Sequence, residues 1–181
     1  MNLERTRVHV LAVLVSVLAP LHASADEAVS DARATVERFR KKDPDLFKFL
    51  ESAAGYAVFP TVGKGGFGVG GAYGKGILFE RGQPVGKTSL VQLTVGFQLG
   101  GQAYSEIVFF ETTRTLNAFK DGQFALAAQA SAVAVTAGAS ADARYRDGVA
   151  VFTLAKGGLM YEASVGGQKF DYEPFRGDRS E

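Results

Sequence analysis

Lys64-Gly-Gly-Phe-Gly-Val-Gly-Gly-Ala-Tyr-Gly-Lys-Gly76 puts seven glycines into thirteen positions and contains the spacing G-x-G-x-x-G at Gly66, Gly68 and Gly71. Such a stretch is either a phosphate-cradling loop or a sharply bent pair of strands. A dinucleotide-binding loop needs a helix that opens inside the motif and an acidic residue about 20 positions further on to hold the ribose. Here Ala72 to Glu80 continues in a strand pattern, and residues 86–91 carry no carboxylate. The nearby Gly82-Gln-Pro-Val-Gly86-Lys87-Thr88 imitates the phosphate loop of ATPases. It has three residues between its glycines where four are required, and Arg81 stands where the first glycine belongs. No nucleotide is expected. Glycine in a strand marks a bend or a close approach, so the stretch reads as a tightly bent strand pair with Phe67, Val69 and Tyr73 as candidates for one face. Its functional reading is a binding rim at which backbone amides and Lys64, Lys75 or Lys87 meet an anionic head group.

The regions on either side narrow the choice further. Arg5 and Arg7 precede an apolar run from Val8 to Leu21, and Ala23-Ser24-Ala25 follows as a small-residue cleavage signal. Residues 1–25 are expected to be a secretory signal peptide and the protein periplasmic. With no cysteine in the chain there is none to carry a lipoprotein anchor. Of 20 basic and 19 acidic residues, removal takes Arg5, Arg7 and Glu4, so 18 of each remain and the exported chain is neutral. A nucleic-acid binder would carry a basic excess to meet the phosphate backbone, so no nucleic acid is expected. Both histidines, His9 and His22, also leave with the peptide. That excludes His-based acid/base chemistry, Ser-His or Cys-His nucleophiles and His/Cys metal sites. No cofactor, no metal and no catalysis are expected. The rival enzyme reading is confined to Tyr104, Glu106, Asp171 and Tyr172, with Glu106 and Asp171 as a possible carboxylate pair.

Along residues 26–52 the pattern is helical: Ala28, Val29, Ala32, Val36 and Phe39 fall on one side of a helix over Asp26 to Lys42. Asp43-Pro44 supplies an N-cap and a first-turn proline for a second short helix through Leu46, Phe47, Phe49 and Leu50, ended by Gly55. Arg38-Phe39-Arg40-Lys41-Lys42 is the densest basic run of the exported chain. It reads either as the solvated end of a helix, where cations suit the helix dipole, or as a contact for an anionic bilayer.

From Ala53 to Phe175 the chain changes to short apolar or alternating runs broken by glycine, as antiparallel strands require; residues 176–181 form a polar tail. Strands are expected at Tyr56–Phe59, Phe67–Tyr73, Gly76–Glu80, Ser89–Leu99, Ala103–Phe110, Val149–Leu154 and Leu159–Val165, with helical turns at Thr113–Phe119. A turn is expected at Gln83-Pro84, and Leu154 to Gly158 reads as a hairpin. Phe124 to Ala137 has the alanines of a helix but the alternation of a strand, and is assigned as strand. Gly100-Gly-Gln-Ala-Tyr104 and Gly166-Gly-Gln-Lys-Phe170 echo one another, with Val69 to Tyr73 as a looser copy, which points to similar corners in one curved sheet. The fold class is therefore mainly β (α+β): a curved or barrel-like antiparallel sheet with two N-terminal helices.

The motifs Ala54-Gly-Tyr-Ala-Val-Phe-Pro60, Lys64-Gly-Gly-Phe-Gly68, Gly71-Ala-Tyr-Gly74, Gln98-Leu-Gly-Gly-Gln102, Tyr104-Ser-Glu106 and Gly157-Gly-Leu159 followed by Gly166-Gly-Gln168 occur in this order. Together they resemble the SYLF domain over about Ala53 to Tyr172. The resemblance implies lipid binding. Eukaryotic members recognise phosphoinositides (phosphatidylinositol lipids) and work with actin, and bacterial members are exported. In this chain it implies a periplasmic, membrane-associated protein that binds anionic phospholipid through Arg38, Phe39, Arg40, Lys41, Lys42, Lys64, Gly66, Phe67 and Lys75. The alternative is a structural or protein-interaction module of the envelope, with an envelope protein as partner and incidental lipid affinity.

Overall fold

A computed structural model describes residues 19–67, 69–95, 102–127, 130–156 and 163–175. Helix α1 spans Ala19–Lys42, followed by a 3-10 turn at Pro44–Leu46 and helix α2 at Phe47–Ser52. The strands are β1 Gly55–Phe67, β2 Val69–Glu80, β3 Gln83–Val95, β4 Gln102–Phe110, β5 Ser131–Ala134, β6 Val149–Ala155, β7 Ala163–Ser164 and β8 Lys169–Pro174; helix α3, Thr113–Lys120, lies between β4 and β5. They form one sheet in the order β7-β5-β6-β4-β1-β2-β3-β8. Mainly β with N-terminal helices is thus the architecture. The sheet is mixed rather than wholly antiparallel, because β5 runs parallel to β6.

The glycine-rich stretch is two arms of one hairpin. Gly65 pairs with Gly71, Gly66 with Gly70 and Phe67 with Val69. The short strands expected on either side of it are continuous: β1 runs from Gly55 to Phe67, with a register shift between Val58 and Thr61, and β2 is unbroken through Gly74 and Gly76. Close packing explains two of these glycines. A Cβ on Gly76 would lie 2.4 Å from the Val58 carbonyl oxygen and 2.7 Å from the Phe59 ring, and one on Gly74 would lie 2.9 Å from Val62. The turn between β2 and β3 falls at Arg81 and Gly82, with φ of 51° and 76°, not at Gln83-Pro84. Two successive positive φ angles make the tight hairpin turn whose twist suits the strands, and Pro84 is taken into β3 beside a register shift.

The sheet curls until its two edges nearly meet. β7 lies at one edge and β8 at the other, yet only residues 165–168 join them, a path of at most about 18 Å. Leu126 bridges that link: its N–H donates to the Gln168 carbonyl and its carbonyl accepts from Gly167. The sheet is not closed. Of the Phe124–Ala137 strand, Ser131–Ala134 is a strand and Ala125 makes a single bridge to Lys169; residues 128–129 lie outside the described residues. The proposed Leu154–Gly158 turn lies partly outside them too, and β7 pairs with β5 instead of completing a hairpin with β6.

Strand alternation gives the curled sheet two apolar faces. Inside, Phe59, Phe110, Phe119, Phe124 and Phe170 pack together under α3, with Phe110 and Phe119 centroids 4.7 Å apart. Outside, α1 and α2 cover the base of the sheet: Ala32, Val36 and Phe39 meet Val58, Ile77, Phe79 and Ile107, and Phe49 packs on Phe109 and Phe152. The expected helical stripe is therefore the buried one. α1 starts at Ala19, upstream of the expected Asp26, because alanine and a first-turn proline at Pro20 both suit a helix. Asp43 caps the 3-10 turn as expected, and its Oδ2 also accepts from the buried Ser140 N–H at 2.7 Å, tying the helix junction to a distant loop.

Candidate functional site

The cations expected to form one site occupy three places. Arg38, Arg40, Lys41 and Lys42 are exposed at the C-terminal end of α1. Arg38 donates to Thr35 Oγ1 at 2.7 Å; Arg40 pairs with Glu37 at 2.9 Å and lies over the Phe47 ring at 5.3 Å. Phe47 is 45% exposed and is the apolar side chain of this patch that sequence reasoning did not assign to a site. Its place beside Phe49 gave the clue, because two phenylalanines two positions apart on a helix cannot share a face. Phe39, by contrast, is fully buried against the sheet and anchors the helix beneath the charges.

The rim at the hairpin tip is divided by the pleat. Lys64 pairs with Ala72, an inward-facing residue, and is half-buried, whereas Lys75 pairs with Thr61 on the outer face and is exposed. Gly66 and Phe67 are the last residues of β1, and residue 68 lies outside the described residues. Lys75 and Lys87 line an outer groove of about 870 Å³ between the N-terminal half of α1, at Ser24, Ala28 and Asp31, and strands β1, β2, β3 and β8. From Asp31 the α1 cations lie about 10 Å (Arg38) to about 17 Å (Lys42) along the helix axis. Arg40, Lys41 and Lys42 thus lie beyond the outer rim, while Arg38 is near enough for its charge to act on Lys156, which bonds Thr61 of the rim.

Inside the curled sheet, beyond the phenylalanines, lies a buried polar cluster. Glu106 is fully buried, faces Thr153 across the β4–β6 ladder, and accepts from Gln168 Nε2 at 3.1 Å. Tyr104 lies two residues along the same face, and Gln92 donates to the Gly166 carbonyl at 2.8 Å. Burial pushes the Glu106 carboxyl up to about 7, partly offset by the Gln168 hydrogen bond. Burial also raises the Tyr104 hydroxyl, with the neighbouring Glu106 charge adding to the effect. Sequence reasoning found Gln168 only as part of the Gly-Gly-Gln echo and read it as a corner. Its side chain in fact holds the link between the sheet edges to β4. Glu106 and Asp171 do not pair: Glu106 points inward and is buried, while Asp171 is exposed on β8, one residue out of phase with the inward-facing Phe170. Among the described residues no group of three or more His, Cys, Asp or Glu side chains is placed to hold a metal ion.

Comparison with known proteins bears on the whole of this arrangement. Residues 91–173 match the family model Ysc84, described as Las17-binding protein actin regulator. That segment is a little under half of the chain, and the match agrees with the SYLF resemblance carried by the sequence motifs. The match covers β4, α3 and β5 to β7 entire, with the distal end of β3 and nearly all of β8, and so contains the Glu106–Gln168 cluster. The chain is also similar to Beta cell expansion factor A of Aeromonas veronii, at 24% identity over 136 residues, which is 74% of this chain. The chain spans about half, 51%, of that relative's length. The match suggests a lipid-binding or actin-regulator-like domain.

Proposed function

We propose that this SYLF domain is a non-catalytic binder of anionic phospholipid that acts in the bacterial periplasm after export. The observation that carries the reading is the α1 C-terminus: four exposed cations beside the exposed Phe47 ring, on a helix whose apolar stripe is already spent on the sheet. Such a helix end is a rigid, cationic platform with one aromatic group to enter the interface. Each Lys or Arg near an anionic surface contributes about 1 kcal/mol at low screening, and Glu37 and Asp45 reduce the total. Lys64 and Lys75 at the hairpin tip supply further charge. A second reading, a protein-interaction module of the envelope, is favoured by the family's description as a Las17-binding protein and by the open edge of β8.

Co-sedimentation of the protein from Asp26 onward with neutral and anionic vesicles, across a salt series, tests this. Binding is expected to anionic vesicles alone, to weaken as salt shortens the screening length, and to fall at least tenfold when Arg38, Arg40, Lys41 and Lys42 are changed to Glu. Binding to neither vesicle type would remove the lipid reading and leave the protein-interaction module.

A further inference from the structure

Among the described residues, no helix lies over one part of the outer sheet face. Near the hairpin tip Tyr73 is 52% exposed, Val91 43% and Leu93 80%. They make one patch, since Tyr73 and Val91 are cross-strand partners and Leu93 is the next outward residue of β3, opposite Gly71. On the β1 side Tyr73 faces Gly63, and Gly71 faces Gly65, so no side chain from that strand covers the patch. With Phe47 they are the exposed large apolar side chains among the described residues. Clustered exposure of this kind marks a contact surface, where scattered single residues would not.

The charges around the patch identify what touches it. Lys169 is the partner of Val91 on β8 and is exposed. One row further from the tip, Lys75 pairs with Ser89 and Thr61, and Lys156 Nζ donates to Thr61 Oγ1. Asp171, opposite Ser89, is the carboxylate on the sheet in these two rows, and Asp31 of α1 faces the groove behind them. In the row beyond, Lys87 and Glu173 are cross-strand partners and offset one another. In these two rows Lys75, Lys156 and Lys169 therefore outnumber the one carboxylate, Asp171, and Asp31 lies behind them. Lysines that reach outward from an apolar patch suit a phosphate-bearing surface with hydrocarbon beneath it, and an aromatic such as Tyr73 suits the boundary between the two.

From this geometry we infer that the β1–β2–β3 tip, carrying Tyr73, Val91 and Leu93, inserts into the interface of an anionic bilayer while Lys75 and Lys169 engage its phosphates. The inference rests on the lipid reading above and adds a second contact to it, one that buries apolar side chains instead of acting through charge alone.

Tryptophan is absent from the chain, so Leu93→Trp introduces a single indole reporter at the patch. With vesicles of phosphatidylethanolamine and phosphatidylglycerol its emission is expected to shift to the blue and to be quenched by brominated acyl chains. Tyr73→Ser with Leu93→Asp is expected to lower vesicle partitioning roughly tenfold or more, with an unchanged thermal midpoint showing that the fold is intact. Vesicle binding with unshifted indole emission would overturn the insertion and leave the helix-end contact standing. A blue shift that needs no vesicles and grows with protein concentration would overturn it in favour of a second copy on the patch. Failure of the unmodified protein to bind any vesicle would take down the lipid reading itself, and the insertion with it.

Discussion

The same two strands, β1 and β2, behave as different materials at their two ends. At the base, Tyr56 to Phe59 and Ile77 to Phe79 are packed on both faces, by the interior aromatics on one side and α1 on the other. Tyr56 and Phe79 stack at 5.1 Å, and Arg33 of α1 lies over Phe79 at 5.5 Å. At the tip the strands keep their hydrogen bonds, but Gly63, Gly65 and Gly71 replace packed side chains and Tyr73 stands in solvent. On the outer face ladder pairing alone therefore carries the tip, with Val62, Ala72 and Leu90 still packed inside, whereas the base is packed on both faces. Stability belongs to the base, which leaves the tip free to make contacts with a partner.

The largest expected effect lies at the base. Phe109 touches Phe49, Tyr56 and Phe152 and is fully buried. Phe109→Ala should lower the unfolding free energy by about 3–5 kcal/mol, measured by chemical denaturation; a loss below about 1 kcal/mol would mean the helix-covered face is not the stabilising one.

Next comes Glu106, whose proton affinity is raised by burial from 4.5 to about 7. Between those values the folded protein holds a proton that the unfolded chain has released. Stability is thus fully present below pH 4.5 and declines as pH rises to about 7, by up to about 3 kcal/mol. Thermal midpoints measured from pH 5 to 8 should show this fall, and Glu106→Gln, which keeps the shape and the hydrogen bond to Gln168, should flatten it. A Gln variant with the same pH slope as the parent would assign the dependence to other groups.

The smallest effect compares one substitution at both ends. Gly76→Ala at the base places a methyl 2.4 Å from the Val58 carbonyl oxygen and should destabilise by about 1–3 kcal/mol. Gly63→Ala at the tip has nothing within 4 Å of its new Cβ and should be neutral or stabilise by up to about 1 kcal/mol, by restricting the unfolded chain. Equal losses at both sites would abolish the distinction between base and tip.

Local patterns were legible wherever a residue's role depends on its near neighbours. The stripe of Ala32, Val36 and Phe39, the Asp43-Pro44 cap, the turns at Thr113–Phe119 and the alternation along Ala103–Phe110 are all set by contacts within a few positions. The candidate site was less legible. The run Arg38 to Lys42 reads as one patch in sequence, but helical rotation turns Phe39 inward and leaves the cations outside. Lys64 and Lys75 read as one rim, but the pleat sends them to opposite faces. The turn at Arg81-Gly82 was missed because Pro84, ordinarily a turn residue, is accommodated in a strand beside a register shift.

By itself, the sequence determined the balanced charge and the lack of histidine over residues 26–181, the lack of cysteine, the amphipathic first helix and a glycine-rich strand pair in place of a phosphate loop. These follow from composition and from periodicities of two and 3.6 residues, which are local properties. Tertiary structure alone decided that the sheet curls until residues 165–168 join its edges, that Glu106 is sealed inside against Gln168, and that Tyr73, Val91 and Leu93 meet on an uncovered face. Each of those depends on residues 18 or more positions apart in the chain, brought together by strand order and register, and no local pattern encodes which strand will lie beside which.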